Sequence, residues 1–128
     1  MQTRFRDAPK FLNLAQIRFP VGAIASIGHR ISGVVLLITL PLLALALDRS
    51  LRSPADFDAL GELLSAPLRA LLLVIVVWAA THHVLAGLRH LLMDIGIGSA
   101  LPNARSSAWI ALVAAVVVAL IAAVRWLA

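Results

Sequence analysis

Three long apolar stretches, each free of formally charged residues, dominate the pattern of this 128-residue chain. They run from Ile31 to Leu47, from Ala70 to Leu88 and from Ser106 to Val124. At a rise of about 1.5 Å per residue, helices that contain these stretches can cross about 30 Å of hydrocarbon. Each must be helical, because lipid offers no partner for a free backbone amide. The pattern predicts an all-α membrane protein with three transmembrane helices.

Residues that favour helix ends set the limits of these helices. Pro20 and Pro67 suit the first turns of the first and second helices. Gly96 and Gly98 end the second helix, and a Pro102-Asn103 turn leads to the third. We therefore predict one domain over residues 1–128, with a polar arm over 1–19 and transmembrane helices over about 20–48, 67–95 and 105–127.

A short helix is predicted between the first two spans. Ser53 has the side chain of a good N-cap, and Pro54 and Asp56 suit the first turn that follows it. This interfacial helix should reach about Leu64.

Composition supports a membrane location and excludes several kinds of site. With 62% hydrophobic and 13% charged residues, the chain has too little polar surface to cover a soluble globule. It has no cysteine, so it forms no disulfide and holds no iron–sulfur cluster through its own thiolates. It also has no tyrosine, so any mechanism that needs a phenol must take it from a partner.

The basic residues predict the orientation in the membrane. Basic side chains in the N-terminal arm and in the loop between the second and third helices exceed those on the other side. Since lysine and arginine near span ends favour the cytoplasm, the N-terminus is predicted inside and the C-terminus outside. The net charge of +5 is thus a topology signal, and nucleic-acid binding is not expected.

Histidines on the second transmembrane helix are the first candidates for chemistry, since ionisable residues are costly in a membrane. His83, Gly87 and His90 share one helical face, while His82 points about a quarter-turn away. His83 and His90 lie about 10 Å apart along the axis, so they cannot both ligate one haem iron. Gly87 should leave room for a flat macrocycle against the helix.

Simpler roles are open to the same residues. An intramembrane histidine more often bonds a neighbouring helix or lines a cavity than holds haem. His90 can pair with Asp94, four residues further on, and Arg89 can extend to the lipid headgroups.

The first helix carries a second constellation. Ser26, His29, Arg30 and Gly33 follow the spacing of one helical face near the cytoplasmic interface. A quinone carbonyl needs hydrogen-bond donors at that depth, and a haem propionate needs arginine. Alternatively, Ser26 bonds back to a carbonyl one turn earlier and Arg30 binds lipid phosphate.

Two sequence blocks resemble the signature of a known family. The first reads Arg18-Phe19-Pro20 and then Ser26-Ile27-Gly28-His29-Arg30-Ile31-Ser32-Gly33. The second reads His83-Val84-Leu85-Ala86-Gly87-Leu88-Arg89-His90-Leu91-Leu92-Met93-Asp94. Together they are similar to the cytochrome b556 subunits of succinate dehydrogenase, respiratory complex II.

The resemblance implies a set of roles. His83 would be one axial ligand of the iron of a haem b shared with a second small membrane anchor subunit, which supplies the other histidine. Ser26 and Arg30 would bind ubiquinone beside the iron–sulfur subunit, and His29 with Arg30 would approach the haem propionates. FAD and the iron–sulfur clusters would belong to the flavoprotein and iron–sulfur subunits.

The resulting hypothesis is a subunit of succinate:quinone oxidoreductase that is not active alone. The absence of a signal or transit peptide favours the bacterial cytoplasmic membrane. One alternative is the anchor of a fumarate reductase. Another is a haem-free transporter subunit in which His82, His83 and His90 relay protons.

Overall fold

The computed structural model describes residues 17–63 and 66–127, and every regular element in those ranges is a helix. The helices are α1 (Val21–Ser50), α2 (Pro54–Glu62), α3 (Ala66–Asp94) and α4 (Leu101–Leu127). By length and composition, α1, α3 and α4 can each cross a membrane. The predicted all-α architecture with three such helices is confirmed. Most of the predicted arm, residues 1–16, lies outside the described residues.

Local chemistry explains where the helices begin and end. The hydroxyl of Ser53 accepts the backbone N–H of Asp56 at 3.1 Å, which caps α2 as predicted. After α3, Gly96 and Gly98 take φ values of +83° and +73°, a conformation that side chains with a Cβ rarely adopt. The chain therefore leaves the helix at the predicted place.

The start of α4 corrects the predicted loop. Pro102 and Asn103 do not form a turn before the last helix, because α4 already begins at Leu101. Proline fits this first helical turn, where its missing N–H would have no partner in the helix. The sequence analysis thus placed Pro102 in the loop, whereas the residue lies in the first turn of α4.

The helices pack through very small side chains. α3 contacts both α1 and α4, and α1 also contacts α4. Of the described residues, all that are buried are alanines except Ser32 and His82. Small residues let helix backbones approach closely in a membrane, where apolar side chains gain little by leaving lipid. Large apolar side chains accordingly face outward, available to lipid or to other subunits.

Candidate functional site

All four histidines of the chain lie where α1 meets α3. The imidazole of His29 on α1 stacks on that of His83 on α3, with ring centroids 4.2 Å apart and planes at 11°. The ring of His90, two turns further along α3, packs edge-on against that of His29, with ring centroids 5.4 Å apart. The two sequence blocks that were singled out separately therefore build one site.

His83 has one ring nitrogen held and the other available. Its Nδ1 lies 3.1 Å from the carbonyl oxygen of His29 and 3.3 Å from the hydroxyl oxygen of Ser32. Ser32 itself donates to the His29 carbonyl at 2.9 Å. A carbonyl only accepts, so Nδ1 carries the hydrogen in this arrangement and Nε2 keeps its lone pair. The ring is half-buried, and its Nε2 remains available as an acceptor.

The ring of His82 is in a different situation. It is fully buried, its Nε2 lies 3.2 Å from the carbonyl oxygen of Ala25, and its plane stacks on Trp78. A Cβ built on Gly28 would lie only 2.6 Å from Nε2, so the backbone of α1 covers this nitrogen. Nδ1 is buried too and has no hydrogen-bond partner among the described residues. Neither nitrogen of His82 is open to an external ligand.

The space beside Gly87 is already filled. A Cβ at this position would lie 3.1 Å from Nε2 of His29, so the glycine accommodates that imidazole. This imidazole lies where a macrocycle was expected, and the expectation itself stays a prediction. Spacing along α3 showed that a side chain is missing there, but it could not show which group of α1 takes the place.

Ser26 and Arg30 are placed differently from His29, although the three share a helical register. Arg30 is exposed and Ser26 is half-buried, whereas His29 is directed into the contact with α3. Within the described ranges, neither the Ser26 hydroxyl nor the Arg30 guanidinium has a hydrogen-bond or ion-pair partner. The alternative in which Ser26 bonds back to its own helix is therefore not observed.

Two simpler roles considered for α3 also differ from what is observed. Arg89 does not reach outward: its guanidinium donates to the Ser107 hydroxyl and to the Ala104 carbonyl, both at 3.1 Å, which ties α3 to α4. His90 forms no ion pair with Asp94. Ion pairs between Arg49 and Asp56 and between Arg52 and Asp48 lie instead around the turn from α1 to α2.

Sequence reasoning missed two residues of this site. Ser32 entered only as part of the first sequence block, and Trp78 was not considered at all. A usable signal existed for both, because Ser32 lies three residues after His29 and Trp78 four residues before His82. Within the described ranges, no three histidine, aspartate or glutamate side chains are grouped to hold a metal ion.

Comparison with known proteins identifies the family. Residues 6–122 match the family described as succinate dehydrogenase/fumarate reductase transmembrane subunit. A succinate dehydrogenase cytochrome b556 subunit from Coxiella burnetii is 39% identical over 117 residues, covering 91% of this chain and 94% of the relative. One from Paracoccus denitrificans is 32% identical over 115 residues, covering 90% and 88%. The chain therefore belongs to the transmembrane subunits of succinate dehydrogenase and fumarate reductase, and is a membrane anchor of complex II.

Proposed function

We propose that this anchor binds haem b through His83 and helps to reduce ubiquinone with electrons from an iron–sulfur subunit. The relatives named above are cytochrome b556 subunits of succinate dehydrogenase, which supports both the haem and the direction of succinate oxidation. The family assignment favours this role over a proton-relaying transporter subunit.

The observation that carries the proposal is the hydrogen bond between Nδ1 of His83 and the carbonyl of His29. Metal-bound histidines commonly donate their second ring N–H to a carbonyl, which fixes the tautomer and the ring orientation. His83 meets this requirement and leaves Nε2 free, whereas His82 has its Nε2 occupied and both nitrogens buried. We assign the second axial histidine to the companion anchor subunit. When bound, a b-type haem supplies reversible one-electron transfer.

Ser26 and Arg30 are the proposed quinone ligands. They lie one turn apart in the second and third turns of α1, roughly 8 and 14 Å from its start at Val21. Ser26 donates a hydrogen bond to a quinone oxygen, and Arg30 stabilises the negative charge that reduction places on that oxygen. Such fixed donors act most strongly where water is scarce.

His29 and Arg30 are the proposed partners of the haem propionates. Arg30 contributes a permanent positive charge from an exposed position. The ring of His29 is stacked on His83, so a propionate held by His29 would lie beside the proposed axial ligand. The same α1 turn would then serve both the haem and the quinone.

The assembly proposed around this chain has three partners: a second small membrane anchor, an iron–sulfur subunit and a flavoprotein that holds FAD. Apolar side chains cover the outer faces of α1, α3 and α4, for example Leu37, which is 74% exposed. Such surfaces suit lipid and neighbouring transmembrane helices. We place the complex in the bacterial cytoplasmic membrane with the N-terminus inside.

Orientation can be tested directly. A reporter fused after Ala128 should behave as periplasmic, and one inserted near Asn103 as cytoplasmic, because of the distribution of lysine and arginine. A cytoplasmic C-terminus would contradict the proposal, since it would place Ser26 and Arg30 on the wrong side for a cytoplasmic iron–sulfur partner.

The function itself is tested on the purified complex. A reduced-minus-oxidised optical spectrum should show a b-type band, and succinate should reduce ubiquinone. Succinate oxidation with an artificial acceptor, which bypasses the membrane site, provides the control for the soluble subunits. An assembled complex without a b-type band would contradict the haem assignment, and one that passes electrons only to the artificial acceptor would contradict the quinone role.

A further inference from the structure

His82 is the largest fully buried side chain of the described residues, and the roles proposed so far make no use of it. Every other buried position among the described residues is an alanine or Ser32. Nδ1 of this ring is buried without a hydrogen-bond partner among the described residues. Its burial is unfavourable in free energy, because the nitrogen loses its hydration and gains no bond in exchange. The remaining nitrogen, Nε2, must therefore account for what this side chain does.

Nε2 makes its contact at a position that matters for the site. It lies 3.2 Å from the carbonyl oxygen of Ala25, which precedes Ser26. One turn further along α1, the carbonyl of His29 is bonded by Nδ1 of His83. Two consecutive histidines of α3 thus hold two carbonyls that are four residues apart on α1. The rings diverge along α1, with His82 toward its start and His83 toward its middle.

The two histidine–carbonyl contacts together restrict the position of α1 against α3 more than either contact could alone. A single hydrogen bond from His83 would let α1 rotate or slide while the ring of His83 followed its carbonyl. The second bond, from His82, removes that freedom because Ala25 and His29 belong to one rigid helix. Gly28 permits the close approach, since a Cβ there would lie 2.6 Å from Nε2 of His82. Trp78 supports the ring from the other side, stacked at 5.7 Å.

We infer that His82 is a positioning residue that fixes the register of α1 against α3, and thereby the ring plane of His83 and the place of Ser26 and Arg30. This inference rests on the proposed function, in which those three residues hold haem and quinone. His82 acts only through them, because its own nitrogens are buried and face α1.

The test compares His82→Phe with His82→Gln in the assembled complex. Phenylalanine keeps a ring against Trp78 and loses the bond to Ala25, whereas glutamine loses the ring and retains an N–H donor near the position of Nε2. The readouts are the low-field g value of the oxidised haem, which depends on the orientation of the axial imidazoles, and the KM for ubiquinone. The ratio of haem to flavin measures assembly.

A positioning role predicts that phenylalanine shifts the g value and raises the KM several-fold, while glutamine stays closer to the wild type. A role as mere filler predicts the reverse order and would overturn the inference, as would wild-type values for phenylalanine. Gly28→Ala provides a second variant that keeps His82 but displaces its ring, so it should shift the same two readouts. Gly61→Ala is the matched control, because nothing lies within 4 Å of its Cβ.

Failure of this inference differs from failure of the proposed function. A wild-type complex without a b-type haem contradicts the proposed function and the inference that rests on it. Wild-type haem with an unchanged His82→Phe spectrum and KM overturns the positioning role alone. Loss of the b-type band in His82→Gln together with its retention in His83→Ala would make His82 the ligand and overturn both assignments.

Discussion

The two faces that α3 offers to its neighbours are built in opposite ways. Against α1 it places imidazoles, which meet backbone carbonyls, a serine and glycines. Against α4 it meets a face whose buried positions, Ala108, Ala111, Ala115 and Ala119, are all alanines. The polar tie found there, from Arg89 to Ser107 and Ala104, lies near the start of α4.

The difference separates chemistry from assembly. Alanine faces bring helices together by close packing and carry no group that can bind an electron carrier. The α1–α3 interface has polar groups that are directed at particular atoms, so under the proposed function its geometry matters to a ligand as well as to packing. Substitutions at the two faces should therefore have effects of different kinds.

The largest expected effect is the loss of haem from His83→Ala. Removal of Nε2 takes away the proposed ligand of the haem iron, so the b-type band should disappear or change to a different ligation state. Optical and low-temperature spectra of the purified complex measure this. Val84→Ala, at a 64% exposed neighbouring position, should keep the band. A normal spectrum in assembled His83→Ala would contradict the assignment of His83 as a haem ligand.

Arg30→Ala should have the next largest effect. A charge-assisted hydrogen bond contributes about 1.5–3 kcal/mol, so its loss in the reduction step should slow succinate-to-ubiquinone turnover about 10- to 150-fold. Turnover with an artificial acceptor should be unchanged. Arg125→Ala, at the far end of α4, is the matched control. An equal loss of both activities would indicate an assembly defect and contradict the quinone role.

Ala115→Leu probes the other face. Ala115 is fully buried, so the added carbons must displace a packed helix and should destabilise the anchor by about 1–3 kcal/mol. The melting temperature of the complex should fall, while the haem spectrum and the KM for ubiquinone of the remaining assembled complex stay unchanged. Val116→Leu, half exposed next to it, should have little effect. A shifted haem spectrum in Ala115→Leu would contradict the expectation that the α3–α4 face affects stability and not the haem.

Ser26→Ala should have the smallest effect on turnover. A neutral hydrogen bond contributes about 0.5–1.5 kcal/mol, so ubiquinone reduction should slow about 2- to 12-fold, with artificial-acceptor activity unchanged. Ser106→Ala is the control, because that hydroxyl donates to the Pro102 carbonyl of its own helix turn. If Ser26→Ala impairs turnover more than Arg30→Ala, charge stabilisation at the quinone oxygen is not the dominant contribution.

Much of the fold follows from the sequence because its determinants are local. Charge-free apolar runs require helices in lipid, Ser53 caps α2, and Gly96 and Gly98 end α3 through φ values that suit glycine. The boundary at Pro102 was missed, since proline is compatible both with a turn and with the first turn of a helix. The motif blocks also led to the correct family, which depends on residue identity rather than on coordinates.

Helical spacing decided which residues share a face, and it could not decide what that face meets. His82 and His83 are neighbours in sequence with the same side chain, yet one has both nitrogens buried and the other keeps Nε2 available. In the sequence, Gly87 is only a position on α3 without a side chain, whereas in the structure the ring of His29 from α1 lies against it. These outcomes depend on the rotation and register of one helix against another, which only the packed structure sets. The sequence by itself determined the helices, the family and the candidate residues, whereas tertiary packing decided which of the neighbouring imidazoles, His82 or His83, keeps a nitrogen available.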